Sequence, residues 1–309
     1  MKKFALALMA LFIVGCGRNE PASVSTDTSA SVETAQTSVA VQASEAPDTQ
    51  ASLDEVLAAQ SDDVKARYPF RHPKETLEFF GIVPGMTVVE VLPGGGWYSQ
   101  ILVPYLGKDG KLIGLDYDLA MWDNFDWVND EFLESRRQWP AKWQDDAKAW
   151  GGDAGAETVA FAMSDIPAEL NGTADAVLFI RALHNMYRYE NSGQHFTLAL
   201  DKTMQLLKPG GIVGVVQHAA NEDSPDEWAS GANGYLKQST LIERMEAAGF
   251  EFVAESDINA NPKDVPGAED IVWRLPPSYA TSKEDAQLKD QYTTIGESNR
   301  MTLLFRKPQ

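Results

Sequence analysis

The stretch TVVEVLPGGG, at residues 87–96, decides how the chain can fold. It opens with β-branched and apolar residues around one acid, Glu90, a pattern typical of a buried strand. Three consecutive glycines follow, and residues 97–106 then carry apolar residues at helical spacing. A strand, a glycine-rich turn and a helix form the nucleotide-binding unit of doubly wound α/β folds. The glycines let a ligand approach the backbone, and the helix N-terminus offers unpaired N–H groups.

A second acid stands where such a unit needs one. A strand is predicted at residues 111–115, and Asp116 follows it, 20 positions after Gly96. An acid at the end of the second strand can accept hydrogen bonds from both hydroxyls of a ribose. The turn and Asp116 together indicate a nucleotide-binding α/β domain. Ahead of them, the spacing predicts a helix over 52–66 and another that begins at Pro73.

The stretch 88–96 resembles the first motif of class I S-adenosylmethionine-dependent methyltransferases, an acid followed by spaced glycines. The resemblance implies a Rossmann-like α/β fold over residues 51–309, with a central, mostly parallel seven-stranded sheet flanked by helices. The later strands of that sheet are expected at 175–180, 212–217, 250–254 and 297–305. More narrowly, the chain resembles a bacterial group of predicted methyltransferases. The shared stretches are 71–73, 93–98, 184–185 and 259–264.

The same resemblance implies S-adenosylmethionine as cofactor and a small molecule as methyl acceptor. Asp116 matches the ribose-binding acid, and Asp165 matches the acid that reaches the adenine amino group. Leu92 replaces the usual first glycine of the motif, and its side chain narrows the space through which the cofactor approaches the backbone. Pro93 removes one backbone N–H donor. The residues expected to bind the cofactor are Glu90, Gly94, Gly95, Gly96, Asp116, Asp165 and Arg181.

Residues for the acceptor are expected after strands four and five. Methyl transfer is a displacement, so the protein mainly aligns the two reactants, and a base is needed only if the acceptor arrives protonated. His184 is the preferred base, with Asn185 and Tyr187 orienting the acceptor. His218, which follows strand five, is a second candidate base. For both histidines a purely structural, hydrogen-bonded role stays open.

Two further features allow two interpretations each. Five of the 8 tryptophans fall between residues 121 and 150, either as a lid with an aromatic pocket or as helices packed on the core. Their near-helical spacing favours packing. Arg71 could bind an acidic acceptor or a cofactor carboxylate, or it could pack near the N-terminus of the domain. No tight spacing of metal ligands is found, so no metal is expected.

The first residues predict export. Residues 1–15 combine a basic start with an apolar run too short to span a membrane, which indicates a signal peptide. The only cysteine, Cys16, stands in a stretch that resembles the lipobox of bacterial lipoproteins. Residues 16–50 are small and polar, so we expect a disordered tether. The chain is therefore predicted to be lipid-anchored in the cell envelope, facing the periplasm. Gly17 after the cysteine favours the outer membrane.

Net charge limits the partners. The chain carries a formal net charge of -19, which repels phosphate backbones, so nucleic acids are set aside as substrates. Two alternatives to the methyltransferase remain. One is a non-catalytic lipoprotein that binds a ligand or partner on the same fold, motivated by Leu92 and by export. The other is a nicotinamide-dependent oxidoreductase, whose glycine pattern residues 93–96 match less well.

Overall fold

A computed structural model describes residues 50–309 of the chain. The predicted signal peptide, Cys16 and all but the last residue of the predicted tether lie outside the described residues. Within residues 50–309, no helix is both long enough and apolar enough to cross a membrane.

An eight-stranded sheet forms the centre, and seven of its strands follow one path in the order β3-β2-β1-β4-β5-β8-β7. The strands are β1 Thr87–Val91, β2 Lys111–Asp116, β3 Glu157–Ala162, β4 Ala174–Ile180, β5 Leu207–Ala220, β6 Leu236–Lys237, β7 Glu251–Ser256 and β8 Arg300–Arg306. Strands β1 to β5 pair in parallel, whereas β8 runs antiparallel to β5 and β7. The predicted Rossmann-like, mostly parallel architecture is confirmed.

The sheet departs from the prediction in three places. Strand β5 runs from Leu207 to Ala220 instead of over 212–217, so His218 lies within the strand rather than after it. The two-residue β6, which the sequence did not predict, pairs with the end of β5 and makes an eighth strand. The last strand begins at Arg300 rather than at Glu297. Residues 297–299 therefore lie outside the sheet, where Glu297 is free to contact arginines instead of pairing in a strand.

Helices flank the sheet. They are α1 Leu53–Ala59, α2 Asp62–Lys65, α3 Tyr68–Arg71, α4 Pro73–Phe79, α5 Ser99–Leu106, α6 Leu119–Trp122, α7 Asp130–Gly151, α8 Leu183–Arg188, α9 Glu190–Gly193, α10 His195–Leu206, α11 Gln238–Ala247 and α12 Ala286–Ile295. The single helix predicted over 52–66 was wrong, because Gln60 and Ser61 are extended. The Gln60 amide there donates to the Val56 and Gln100 carbonyls.

Apolar side chains fill both sides of the sheet. In β1, Val89 and Val91 belong to one core layer and Val88 to the other, as the alternation of a strand requires. Helix α7 covers the second layer with Trp139 and Trp143, both buried. Trp122 is also buried and Trp150 packs against the second layer, whereas Trp127 is 60% exposed. The interpretation that the tryptophans of this stretch pack on the core is therefore confirmed except for Trp127.

Candidate functional site

A cavity of about 600 Å³ opens at the carboxyl edge of the sheet, between β1 and β4. The chain runs outward from these two strands in opposite directions, through β2 and β3 on one side and β5 on the other. Doubly wound folds bind their ligands at this kind of reversal in strand order. The walls of the cavity come from the glycine turn, from residues after β4 and from β5. Further walls come from Arg67 and Arg71, at the two ends of α3, and from Trp273 and Pro277.

Leu92 and Arg181 are the first residues after β1 and β4, and both line the cavity. Both have left-handed backbone conformations, with φ of 54° and 61°. Each still donates its N–H to the adjacent strand, to Leu115 and Val216 respectively, at 2.7 Å. Left-handed residues other than glycine are strained and concentrate at ligand sites. Leu92 thus keeps the positive φ that glycine adopts easily. Its side chain packs against the core and lines the cavity.

The three glycines of the turn have different surroundings. Gly94 and Gly95 line the cavity, and a Cβ added to either would meet nothing within 4 Å. A Cβ on Gly96 would lie 2.1 Å from the ring of Trp150, at the end of α7. Gly96, predicted to bind the cofactor, is therefore not a wall of the cavity. It is the residue that lets α7 pack closely on the turn.

Glu90 is buried beneath the turn rather than in the cavity. Its Oε2 accepts the Ser99 hydroxyl at 2.6 Å, and Trp143 Nε1 donates to the same Ser99 oxygen at 3.3 Å. Burial raises the pKa of Glu90 to about 7, and the Ser99 hydrogen bond opposes that rise. The side chain ties β1 to the start of α5 and so holds the turn between them.

Asp116, at the end of β2, presents an unused acceptor. Its Oδ1 accepts the Tyr117 N–H at 2.9 Å, while its buried Oδ2 has no hydrogen-bond partner among the described residues. Arg136 Nη1, from α7, lies 3.4 Å from that Oδ2. Burial raises the pKa of Asp116 to about 6, and the Arg136 charge opposes it. A buried carboxylate oxygen that accepts no hydrogen bond and has one ion pair fits a hydroxyl donor such as that of a ribose.

Asp165 lies farther along the same edge, after β3. It is exposed and accepts the Ser164 hydroxyl at 3.2 Å. The neighbouring Asp118 accepts the Ser164 N–H at 2.6 Å, which fixes this loop. Because β3, β2 and β1 are adjacent, Asp165, Asp116 and the glycine turn form a row along the edge.

His184 and His218 face the cavity from α8 and β5, with ring centroids 5.6 Å apart. His184 Nδ1 lies 3.4 Å from Gln217 Nε2, and His218 Nδ1 lies 2.6 Å from the Ser298 hydroxyl. Burial lowers the pKa of His184 to about 4. Burial, with His184 and nearby arginines adding to it, lowers the pKa of His218 well below its ordinary value. Both rings are therefore neutral at pH 7.

The two residues predicted to orient the acceptor separate in space. Asn185 lines the cavity, and its buried Oδ1 has no hydrogen-bond partner among residues 50–309. Tyr187 does not reach the cavity, and its ring packs against Phe196 at 5.6 Å and under Arg244. Residues two positions apart on a helix point to different sides. The predicted role of Tyr187 is therefore corrected to packing.

Four arginines surround Glu297, an arrangement the sequence did not predict. Arg71, Arg181 and Arg300 contact the carboxylate at 3.2, 3.8 and 3.3 Å, and Arg67 Nε donates to it at 2.7 Å. Of these four arginines, the sequence predicted a binding role for Arg71 and Arg181 only. Arg67 and Arg71 are one helical turn apart, and this spacing was the only local sign that their side chains lie on the same face. Glu297 and Arg300 come from the far end of the chain and gave none.

Comparisons with known proteins add little beyond the fold. No family model matches the chain. Over 51 residues it is 41% identical to ribosomal RNA small subunit methyltransferase H of Flavobacterium psychrophilum, a match that covers 16% of this chain and 18% of that protein. The chain thus matches less than a fifth of that relative, and the activity of the whole relative is not carried over.

Three solved structures illustrate the structural likeness, each at 17% identity. The [4+2]-cyclase SpnF has a TM-score of 0.49, with 77% of this chain and 80% of that chain covered. A SAM dependent methyltransferase from Aquifex aeolicus has a TM-score of 0.44, with 67% and 93% covered. An arsenic (III) S-adenosylmethionine methyltransferase from Chlamydomonas reinhardtii has a TM-score of 0.41, with 85% and 75% covered. At these values the likeness concerns the fold alone, since one fold hosts many reactions.

The strand order and the flanking helices therefore establish a Rossmann-like α/β fold for this chain.

Proposed function

We propose that this chain is an S-adenosylmethionine-dependent methyltransferase that acts on a small-molecule acceptor. One observation carries the proposal: Gly94 and Gly95, after β1, line the same cavity as His184 and His218, from the ends of β4 and β5. A cofactor side and an acceptor side thus meet at the reversal in strand order. The net charge of -19 favours a small acceptor over a nucleic acid.

The row of residues along the carboxyl edge fits the cofactor. Asp165 would contact the adenine, and Asp116 Oδ2, which accepts no hydrogen bond from the described residues, would accept a ribose hydroxyl. The backbone at Gly94 and Gly95 would lie against the methionine part of the cofactor. When bound, the cofactor supplies an electrophilic methyl group. Arg136 must move away from Asp116 for the ribose to approach, because its Nη1 lies 3.4 Å from the same oxygen.

The two histidines would serve an acceptor that arrives protonated. Each ring is held through Nδ1, by Gln217 or by Ser298, which fixes its orientation beside the cavity. Burial lowers the pKa of both rings and so favours the neutral form of each. Gln217 Nε2 donates to His184 Nδ1, which leaves the proton of that ring on Nε2, so His184 would donate a hydrogen bond to the acceptor. His218 would accept the proton if its Nδ1 donates to Ser298. Asn185 Oδ1 would accept a hydrogen bond from the acceptor.

Calorimetric titration of the full-length chain with S-adenosylmethionine and its demethylated product tests the proposal. We expect micromolar binding that Asp116→Ala abolishes. The matched control, Asp123→Ala, removes an exposed acid just after α6 and should leave binding unchanged. A folded chain that binds neither compound would overturn the cofactor assignment.

A non-catalytic binding protein is the second candidate. Two observations favour it: the Leu92 side chain stands in place of the first glycine, and Arg136 lies against the ribose acid. Each occupies space that a catalytic site would leave for the cofactor. Binding of adenosine by a chain that does not bind S-adenosylmethionine would select this candidate.

We also propose that the chain is a membrane-tethered lipoprotein, anchored through Cys16 and facing the periplasm. The basic start, the short apolar run and the position of the only cysteine support this. Growth of an expressing bacterium with a labelled fatty acid should label the protein and place it in the membrane fraction. Cys16→Ser should lose both the label and the membrane association, and a labelled Cys16→Ser protein would contradict the assignment.

A further inference from the structure

The cluster of arginines around Glu297 carries more positive charge than its single carboxylate balances. Four guanidinium groups surround one carboxylate, within a chain whose net charge is -19. Glu297 is 4% exposed, and the side chains of Arg71 and Arg300 are 6% and 3% exposed. Buried charges without a partner are unfavourable, so this excess calls for another anion.

Two of the arginines are already satisfied by the protein. Arg300 donates to the Ser298 and Phe70 carbonyls and contacts Glu297, from behind the cavity. Arg67 donates to Glu297 through both Nε and Nη2. These contacts hold the cluster together, and they use the carboxylate that Arg71 and Arg181 would otherwise share.

Arg71 donates to Glu297 through Nε, at 3.2 and 3.4 Å from its two oxygens, and both Arg71 and Arg181 line the cavity. Arg181 Nη1 lies 3.8 Å from Glu297, too far for a hydrogen bond, and its buried Nε has no partner among residues 50–309. The Arg71 guanidinium lies 4.5 Å from the centre of the Trp97 ring, which fixes its plane at the cavity wall. Burial, together with the neighbouring arginines, lowers the pKa of both groups to about 10, as expected for cations lacking sufficient counter-charge.

The cofactor alone does not balance this charge. S-adenosylmethionine carries a sulfonium and an ammonium against one carboxylate, so it brings no net negative charge. The two histidines are neutral and line the same cavity, so an anion at Arg71 and Arg181 would lie next to them. We propose that Arg71 and Arg181 bind an oxyanion, a carboxylate or phosphate, of the methyl acceptor, which makes the acceptor a small organic anion. This inference rests on the proposed methyltransferase function.

Calorimetry with succinate and with inorganic phosphate, on the full-length chain in a chloride buffer without cofactor, tests the inference. At least one of the two anions should bind, and the preferred one names the oxyanion. Arg181→Gln should weaken that binding at least tenfold. The matched control, Arg137→Gln, removes an exposed arginine of α7 paired with Glu134 and should have no effect.

Glu297→Gln gives a second arm with the opposite sign. Removing the competing carboxylate should tighten anion binding, a result that a merely structural cluster would not produce. Near-UV circular dichroism checks that each variant is folded. If Glu297→Gln does not fold, Arg181→Gln decides alone, because the Arg181 side chain is 28% exposed and lies 3.8 Å from Glu297, too far for a hydrogen bond.

Three outcomes overturn the inference. Neither anion binds, Arg181→Gln leaves anion binding unchanged, or Arg181→Gln weakens only the binding of S-adenosylmethionine. The last outcome would assign the cluster to the cofactor carboxylate. The methyltransferase proposal fails separately, when the cofactor does not bind while the anions do. If the anions do not bind while the cofactor does, only the claim that the acceptor is an organic anion is rejected, and the methyltransferase proposal stands.

Discussion

Leu92 and Arg181 adopt the same left-handed conformation at the carboxyl ends of adjacent strands, and both line the cavity. The two strands lie on either side of the reversal in strand order. Neither residue is glycine, so the surrounding sheet holds each in a conformation that costs about 1–3 kcal/mol. The strain lies where the cavity opens, which is where a ligand would contact the backbone.

Leu92→Gly tests that relationship. Glycine adopts the observed φ of 54° without strain, and this gain partly offsets the lost packing of the leucine side chain. We expect stability to change by less than about 2 kcal/mol and the affinity for S-adenosylmethionine to rise several-fold. Chemical denaturation and calorimetry measure the two effects. For comparison, Leu115→Ala, in the buried core of β2, should cost about 2–5 kcal/mol.

Gly94→Ala and Gly96→Ala should separate binding from stability. Both glycines have positive φ, so each alanine carries a backbone penalty of about 1 kcal/mol. Only the Cβ at position 96 also meets Trp150, at 2.1 Å. We expect Gly96→Ala to be the more destabilising by at least about 1–2 kcal/mol. Gly94→Ala should mainly weaken cofactor binding, and equal Tm losses in the two variants would be evidence against the packing described for Gly96.

Glu90→Gln should stabilise the chain at alkaline pH. Burial raises the folded-state pKa of Glu90 from its ordinary 4.5 to about 7. The contribution of protonated Glu90 to the free energy of unfolding is thus complete below pH 4.5. It is lost as the pH rises through about 7, by an amount on the order of 3 kcal/mol. Thermal unfolding at pH 5 and pH 8.5 should show Glu90→Gln gaining stability only at the higher pH. A gain of the same size at both values would contradict the shift.

His184→Asn should reduce sensitivity to acid. Burial lowers the folded-state pKa of His184 from 6.5 to about 4, so the unfolded chain binds a proton that the folded chain does not. Stability is therefore lost as the pH falls from about 6.5 towards 4, by an amount on the order of 3 kcal/mol. Denaturation midpoints between pH 7 and pH 4.5 should fall less steeply in His184→Asn. His195→Asn, on a helix away from the cavity, is the comparison. Burial also lowers the pKa of His195, but the charges of Asp118 and Glu190 oppose that shift, so the slope should flatten less. An equally shallow slope would remove the assignment to His184.

Arg136→Ala should have an effect that depends on the charge of Asp116. Arg136 Nη1 lies 3.4 Å from Asp116 Oδ2, and burial raises the pKa of Asp116 to about 6. Above pH 6 the variant leaves a buried carboxylate without its cation, and we expect a loss of about 1–3 kcal/mol. Below pH 5 the carboxyl is neutral, so the loss should shrink to that of the packing. Arg137→Ala should be close to neutral at both values, since its pair with Glu134 is exposed.

Much of the fold could be predicted from local pattern. The run 87–91, the glycines after it and Asp116 after the next strand are short-range signals, because strand alternation and turn chemistry act over a few residues. The helix predicted over 52–66 was wrong because the chain is extended at Gln60 and Ser61. Ser61 followed by Asp62 and Asp63 was a local signal for a second helix start, whereas the hydrogen bond from Gln60 to Gln100 is tertiary. The two-residue β6 exists only because the end of β5 lies beside it.

The sequence by itself determined the Rossmann-like class, the position of the glycine turn and the presence of one histidine after β4 and one near the end of β5. Only the tertiary structure decided that Gly96 packs against Trp150, that Tyr187 turns away from the cavity and that four arginines meet at Glu297. Several of these contacts join side chains that are distant in the sequence, such as Arg67 and Glu297, which are 230 positions apart. Local propensity carries no information about such contacts, because they form only when helices and strands pack.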